Sequence, residues 1–308
     1  MAKLGLLFPG QGAQFVGMGL DFPNSNVILD LAHKETGLDL HHSISTGERL
    51  NETLYTQLSV FLTSALALEI VESLNPKYAG MTGFSLGEYS ALYASRVIPL
   101  KEAIKLVYNR SLLMQAETLK SQGFMAAVLG LSATEIDAAL KHVTTGTVVC
   151  ANYNSPVQTV ISGEASAFES AESILKNLGA KRVIKLAVSG AFHSPLMENA
   201  GIALLNYLND VELYAPKSPV YLNTTAKPLN FNTLKSEMSK QVYQGVRFQQ
   251  TIENMVSDGF THFLEIGPGQ VLAPLVKKIN PELESFSFGK YSDLENLKGW
   301  LTTHGFIQ

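Results

Sequence analysis

The chain has 308 residues, 46% hydrophobic and 16% charged, a balance that suits a folded globular protein and excludes a disordered one. A formal net charge of −4 leaves no basic excess for nucleic acid, and the length suits one large domain plus a smaller one. The lone Cys150 cannot close an internal disulfide, no Cys/His cluster has zinc-ligand spacing, no apolar run is read as reaching the roughly 20 residues of a membrane span, and residues 1–8 lack the features of a signal peptide, so a reducing cytoplasm is the expected home.

In chain order, Leu4–Phe8 reads as a strand that leaves sharply through Pro9-Gly10-Gln11-Gly12. An apolar helix over 57–73 ends at Asn75-Pro76. A short strand over 78–82 then runs into Gly83-Phe84-Ser85-Leu86-Gly87, followed by helices over 88–95 and 101–119. Next come a strand (124–130), a helix opened by the capping box Ser132-x-x-Glu135, strands over 147–152 and 158–162, a helix over 165–178 and a strand over 183–188. That βαββαβ order is the pattern of a ferredoxin-like unit. The surrounding chain reads as one α/β domain, so the expected boundaries are 1–122 with 190–308 for the large part and 123–189 for the insert. After a loop over 189–195 follow a helix to about 209, a strand at 220–223, helices at 232–243 and 248–257, the strand His262–Ile266, the turn Gly267-Pro268-Gly269 and the helix Leu272–Ile279.

Gly83-x-Ser85-x-Gly87 between strand and helix is a nucleophile elbow by context, because the turn needs small residues on both sides of an exposed serine. The helix that follows directs its first amides at any oxyanion, and the Leu86 N–H is the expected donor. Of seven histidines, five lie in polar stretches or at helix ends and His262 precedes a strand. His193, in the small-residue loop Gly190-Ala191-Phe192-His193-Ser194-Pro195, is the best base for that serine. Arg110 falls within an apolar helical stripe with Ala103, Val107 and Met114, so its guanidinium needs a partner. Two remain open: an internal carboxylate such as Glu88, or a substrate carboxylate gripped through two hydrogen bonds. Gln11 either donates to an oxyanion or belongs to a plain glycine turn; no Lys-Ser/Thr follows to make a phosphate loop.

Taken together these residues resemble the malonyl-CoA:acyl-carrier-protein transacylases and the acyltransferase domains of fatty-acid and polyketide synthases. The matching segments are Phe8-Pro9-Gly10-Gln11-Gly12-Ala13-Gln14, Gly83 to Leu92, Arg110 to Gln115, Gly190-Ala191-Phe192-His193-Ser194 and Glu265-Ile266-Gly267-Pro268-Gly269, in the family's order and over nearly the whole chain. The resemblance implies a large α/β-hydrolase-like subdomain with a parallel sheet and an inserted ferredoxin-like subdomain. It implies Ser85 as nucleophile, His193 as base, Gln11 and the Leu86 amide as oxyanion hole, and Arg110 as holder of the malonyl carboxylate. A backbone carbonyl orients the histidine in this family, and Arg247 stands at the position expected to supply it. Phe84 stands where the family usually has His, and altered packing is expected there without loss of activity. Phe192 is expected to block an α-methyl branch on the acyl group, and Leu86 in place of Gln points the same way.

The resemblance also implies malonyl-CoA and acyl carrier protein as partners and no bound cofactor, since the CoA thioester is a substrate. No metal, nucleic acid or membrane is expected, and the expected state is a monomer. The carrier protein is acidic in this family, so docking needs a local basic patch, with Lys181, Arg182 and Lys185 the first candidate and Lys277-Lys278 the second. Two other readings share part of the pattern. A serine hydrolase has the elbow but places its histidine near the carboxy terminus after an acid. A non-catalytic module that binds CoA or carrier protein would not need Ser85, His193, Gln11 and Arg110 together.

Overall fold

Leu4–Phe8 (β1) is apolar and buried at every position, as a strand covered on both faces must be. The computed structural model describes residues 2–120, 122–188 and 190–307. After β1 come α1 (Ser25–Thr36), α2 (Leu40–Thr46), α3 (Thr53–Ser73), β2 (Gly80–Gly83), α4 (Gly87–Ala94) and α5 (Leu100–Lys120). The next segment holds β3 (Gly123–Leu129), α6 (Ala133–Leu140), β4 (Val148–Ser155), β5 (Gln158–Glu164), α7 (Phe168–Asn177) and β6 (Arg182–Lys185). The chain continues through α8 (Glu198–Asn209), β7 (Val220–Tyr221), α9 (Leu234–Tyr243), α10 (Phe248–Ser257), β8 (His262–Ile266), α11 (Leu272–Ile279), β9 (Glu284–Phe288) and α12 (Leu294–Thr303).

Five strands form a parallel sheet in the order β7-β2-β1-β8-β9. The carboxyl ends of its three central strands carry the Gly83–Gly87 elbow, the Pro9–Gly12 turn and the Gly267–Gly269 turn side by side, and such ends are where open α/β sheets place their sites. A second, antiparallel sheet has the order β4-β5-β3-β6 and its own apolar core, built on Phe124, Val128, Ile136, Ile161 and Leu175. This is the ferredoxin-like arrangement expected from the βαββαβ order. β4 of this second sheet is tied to the large part at the segment between α9 and α10, where Tyr153 N donates to Val246 O (2.9 Å) and Val246 N donates to Ala151 O (2.8 Å).

The structure corrects the sequence reading in three places. β9 and α12 are additional elements; β9, Glu-Ser-Phe-Ser-Phe, is an edge strand whose polar residues hide its strand character. The last strand of the insert is Arg182–Lys185, shorter and earlier than 183–188. The helix α3, 21 residues long with a mean hydropathy of 1.5 over its most apolar 18-residue window, is long and apolar enough to cross a membrane, contrary to the expectation that no such run exists. It is a core helix instead, because 89% of its most apolar window is buried inside the protein. Ser189, where the histidine loop and the end of the insert were placed, lies outside the described residues, as does Gln308, the end of the large part.

Candidate active site

β2 must turn into α4 within three residues, and two glycines permit it. A Cβ at Gly83 would overlap the Gly87 carbonyl, and a Cβ at Gly87 would overlap the carbonyl of Phe8. Between them Ser85 holds φ = 52°, in the left-handed region that L-residues adopt at a cost of roughly 1–2 kcal/mol. That strain raises the hydroxyl above the strand ends at the first turn of α4. Leu86 is fully buried, and its N–H has no acceptor among the described residues.

His193 meets the serine from the loop before α8, also at positive φ (57°), with Nε2 2.7 Å from Ser85 Oγ. On the other side of the ring Nδ1 lies 2.8 Å from the Gln241 carbonyl. A carbonyl can only accept, so Nδ1 carries the proton and Nε2 presents a lone pair to the hydroxyl. Burial, with the nearby positive charge of Arg110, pulls the imidazole down to about 4. At neutral pH the ring is uncharged and able to accept a proton from Ser85.

This geometry corrects the expectation for Arg247. Its carbonyl is spent inside α10, accepting from Thr251 N (2.9 Å) and Thr251 Oγ1 (2.8 Å), and its side chain is exposed. The carbonyl that faces the imidazole comes from Gln241, in the last turn of α9, where helix carbonyls lose their intrahelical partners.

Arg110 lies on α5, 1% exposed, with its guanidinium at the same centre. Nη1 donates to Gln57 Oε1 (2.6 Å), and Nη2 donates to Gln241 Oε1 (3.0 Å) and Ser85 Oγ (3.3 Å). The Tyr89 ring lies 5.2 Å from Cζ, and Arg110 Nε has no hydrogen-bond partner among the described residues. No ion pair among those residues includes Arg110, so Glu88 does not serve as its carboxylate. A buried guanidinium held only by neutral acceptors is left in need of an anion.

These groups open onto a cavity of about 360 Å³, lined also by Gln11, Phe84, Met125, Asn154, Phe192 and Lys278. Gln11 and Phe192 therefore reach the cleft that holds Ser85 and His193. Phe84 does so too, while its ring packs edge-on against Phe248 at 5.5 Å. Lys181, Arg182 and Lys185 are exposed along or beside the edge strand β6, and none of them enters an ion pair among the described residues.

Three residues at the site were not foreseen. Gln241 ties the centre together, since its Nε2 also donates to the Ser85 carbonyl at 2.6 Å. Gln57 projects from the apolar helix α3, and a glutamine there was a legible signal, because a buried amide asks for a partner. Asn223 accepts from Ser85 N at 2.7 Å.

Glu88 is buried under the elbow, with Oε2 accepting from Asn223 N at 2.6 Å. Burial pushes its carboxyl up to about 8, against the pull of the Asn223 amide and Arg110 and helped by Glu237. The folded value stands above the ordinary one, so its contribution to stability is complete below pH 4.5 and lost as pH rises through 8. Glu88→Gln copies the protonated acid and removes this titration. Urea midpoints of the native protein should therefore fall relative to Glu88→Gln between about pH 4.5 and 8 and stay level above that. Parallel curves for the two proteins would refute it.

A serine hydroxyl against a neutral imidazole, with free N–H donors beside it, is the equipment of acyl transfer through a covalent ester. Residues 6–285 match the acyl transferase domain family, and the chain belongs to it; it is an acyltransferase. Its relatives narrow the class. The malonyl CoA-acyl carrier protein transacylase of Staphylococcus aureus (strain MSSA476) is 40% identical over 97% of this chain and 99% of its own length. The crystal structure of malonyl CoA-acyl carrier protein transacylase from Clostridium perfringens superposes with a TM-score of 0.93 at 34% identity, covering 99% of this chain and 98% of that one. A malonyl-transacylase solved in complex with its type II PKS acyl-carrier protein gives a TM-score of 0.92 at 35% identity, over 96% of this chain and 98% of that one.

Proposed function

We propose that this acyltransferase moves a malonyl group from malonyl-CoA to the phosphopantetheine thiol of acyl carrier protein, for fatty-acid or polyketide elongation, through an ester on Ser85. One observation carries the choice of acyl group: the buried Arg110 guanidinium, paired only with neutral groups, stands 3.3 Å from Ser85 Oγ. A carboxylate on the acyl chain supplies the missing anion while the thioester carbonyl meets the serine.

Ser85 Oγ attacks the thioester carbonyl and its proton passes to His193 Nε2. Gln11 and the Leu86 N–H hold the oxyanion of the tetrahedral intermediate. The carbon–sulfur bond breaks, the CoA thiolate takes the proton from His193, and malonyl-Ser85 remains. The carrier thiol then gives its proton to His193, attacks the ester carbonyl, and the alkoxide of Ser85 recovers the proton as it leaves. No bound cofactor enters either half, and ping-pong kinetics follow. The reaction is assigned to a monomer in the cytoplasm, where the free, buried Cys150 stays reduced.

Incubation with malonyl-, methylmalonyl- and acetyl-CoA, followed by intact mass, tests the reading. A malonyl adduct on the wild type that maps to Ser85 supports it; no adduct from any of the three sinks it. Phe192, 5% exposed at the cleft wall, is assigned the exclusion of an α-methyl branch, which for one methyl is worth only ~1–3 kcal/mol. The methylmalonyl adduct should therefore form slowly and not be absent.

The acidic carrier protein is placed against Lys181, Arg182 and Lys185, beside the histidine loop in sequence. Lys277 is less available, being 3.6 Å from Glu284. Reversing the charge at Lys181 and Arg182 should raise KM for carrier protein several-fold, steeply at low salt, and leave KM for malonyl-CoA unchanged. Equal changes in both constants would remove the patch from docking.

A further inference from the structure

We infer that Asn223 is a positioning residue for the nucleophile: its carboxamide replaces the missing sheet ladder at the elbow and fixes where Ser85 Oγ stands. The inference rests on the reading of Ser85 as nucleophile. β2 and β7 pair in parallel through Met81↔Val220 and Thr82↔Tyr221, and there the ladder ends. The chain must leave the sheet at Gly83, yet α4 begins only at Gly87. The Gly83 carbonyl and the Ser85 N–H are thus stranded between strand and helix, and leaving such groups unpaired beneath a covered turn is costly.

Asn223, two residues beyond the end of β7, answers both at once. Its Nδ2 donates to Gly83 O at 2.6 Å and its Oδ1 accepts from Ser85 N at 2.7 Å. A carboxamide, like a backbone peptide, places an N–H donor and a carbonyl acceptor in one plane, so with one of its N–H groups and its oxygen the side chain acts as the next rung of the ladder. Asn223 is itself fixed, 2% exposed, with its N–H donating to Glu88 Oε2 (2.6 Å) and its carbonyl accepting from Arg247 N (3.0 Å). The hold matters because Ser85 has φ = 52° and would relax toward the ordinary regions if its N–H were released. Relaxation would swing Oγ away from a base set only 2.7 Å from it.

Asn223→Ala removes both bonds and Asn223→Asp keeps the shape and the acceptor but, when ionised, loses the donor toward Gly83. Expected for Asn223→Ala is a fall in the single-turnover acylation rate on the order of 10²-fold, the size of effect known for misplacing a reacting group by an ångström. KM for malonyl-CoA should move less than about threefold, because no atom of Asn223 is among those lining the cleft. Labelling of Ser85 by a fluorophosphonate should slow in parallel, with near-UV circular dichroism unchanged. Asn223→Asp should be slow at about pH 7 and recover toward wild type by about pH 5.5, as the buried acid takes up a proton and regains its donor. Should Asn223→Ala fail to fold, the Asp variant decides: a rate equal to wild type at both pH values, or a loss confined to KM, overturns the assignment. A wild type that forms no Ser85 ester would instead fail the parent reading, so the two failures are distinct.

Discussion

Ser85→Ala is expected to leave no malonyl-enzyme in intact mass and to lower malonyl transfer by on the order of 10⁵–10⁶-fold, the loss seen when a serine nucleophile is deleted from a serine–histidine unit. Ser85 Oγ is 2.7 Å from His193 Nε2, and no other hydroxyl among the described residues is hydrogen-bonded to that nitrogen. The alanine variant should fold, since Gly83 and Gly87 and the Asn223 bonds to the turn all remain. His193→Ala should cost nearly as much, and the double variant little more than either, because nucleophile and base act as one unit. The acid limb of kcat/KM follows from the imidazole. His193 is held down at about 4 by burial and Arg110, so it stays neutral, and the enzyme active, until the pH falls well below the ordinary histidine value of 6.5. An acid limb centred at 6.5 would show that the imidazole does not have this environment during turnover, and an ester found on any residue but Ser85 would end the assignment.

The residues that could be read from sequence are those whose position is fixed locally. Ser85 lies in a turn whose glycines are each forced by a backbone clash, and such a turn leaves a five-residue signature. His193 lies in a loop of small residues between two recognisable elements. The partners that connect them carry no local mark. Gln241 and Asn223 are neutral residues in a helix and after a two-residue strand, and their roles exist only through contacts with residues distant in the chain, 48 positions away for His193 and more than 100 for Gly83, Ser85 and Arg110. The family resemblance points to Arg247 for the orienting carbonyl, and a backbone carbonyl has no residue identity by which the sequence could correct that; only the end of α9 decides which one is free to face the imidazole. The ferredoxin-like insert was legible from its βαββαβ order, whereas β9 was not, since an edge strand with serines and a glutamate lacks the apolar run that announces its neighbours.

Arg110→Ala separates acyl groups by charge. A carboxylate gripped by a buried guanidinium gains charge-assisted hydrogen bonds of roughly 1.5–3 kcal/mol each, so losing two should lower kcat/KM for malonyl-CoA by on the order of 10²–10⁴-fold. Acetyl-CoA carries no such carboxylate and makes no use of that grip. Its kcat/KM should fall only as far as the centre loosens when Gln57 Oε1 and Gln241 Oε1 lose their donor, and Gln241 keeps its other bond, to the Ser85 carbonyl. Removing the cation also lifts one of the two influences that depress His193, which favours the base for either substrate. The ratio of malonyl to acetyl use is therefore the sensitive quantity, and it should collapse toward unity or invert. Arg110→Lys should recover part of it, keeping the charge but not the planar fork that holds two oxygens at once. Equal losses for malonyl and acetyl would mean that Arg110 serves only to brace Gln57, Gln241 and Ser85, and the carboxylate would have to be recognised elsewhere in the cleft.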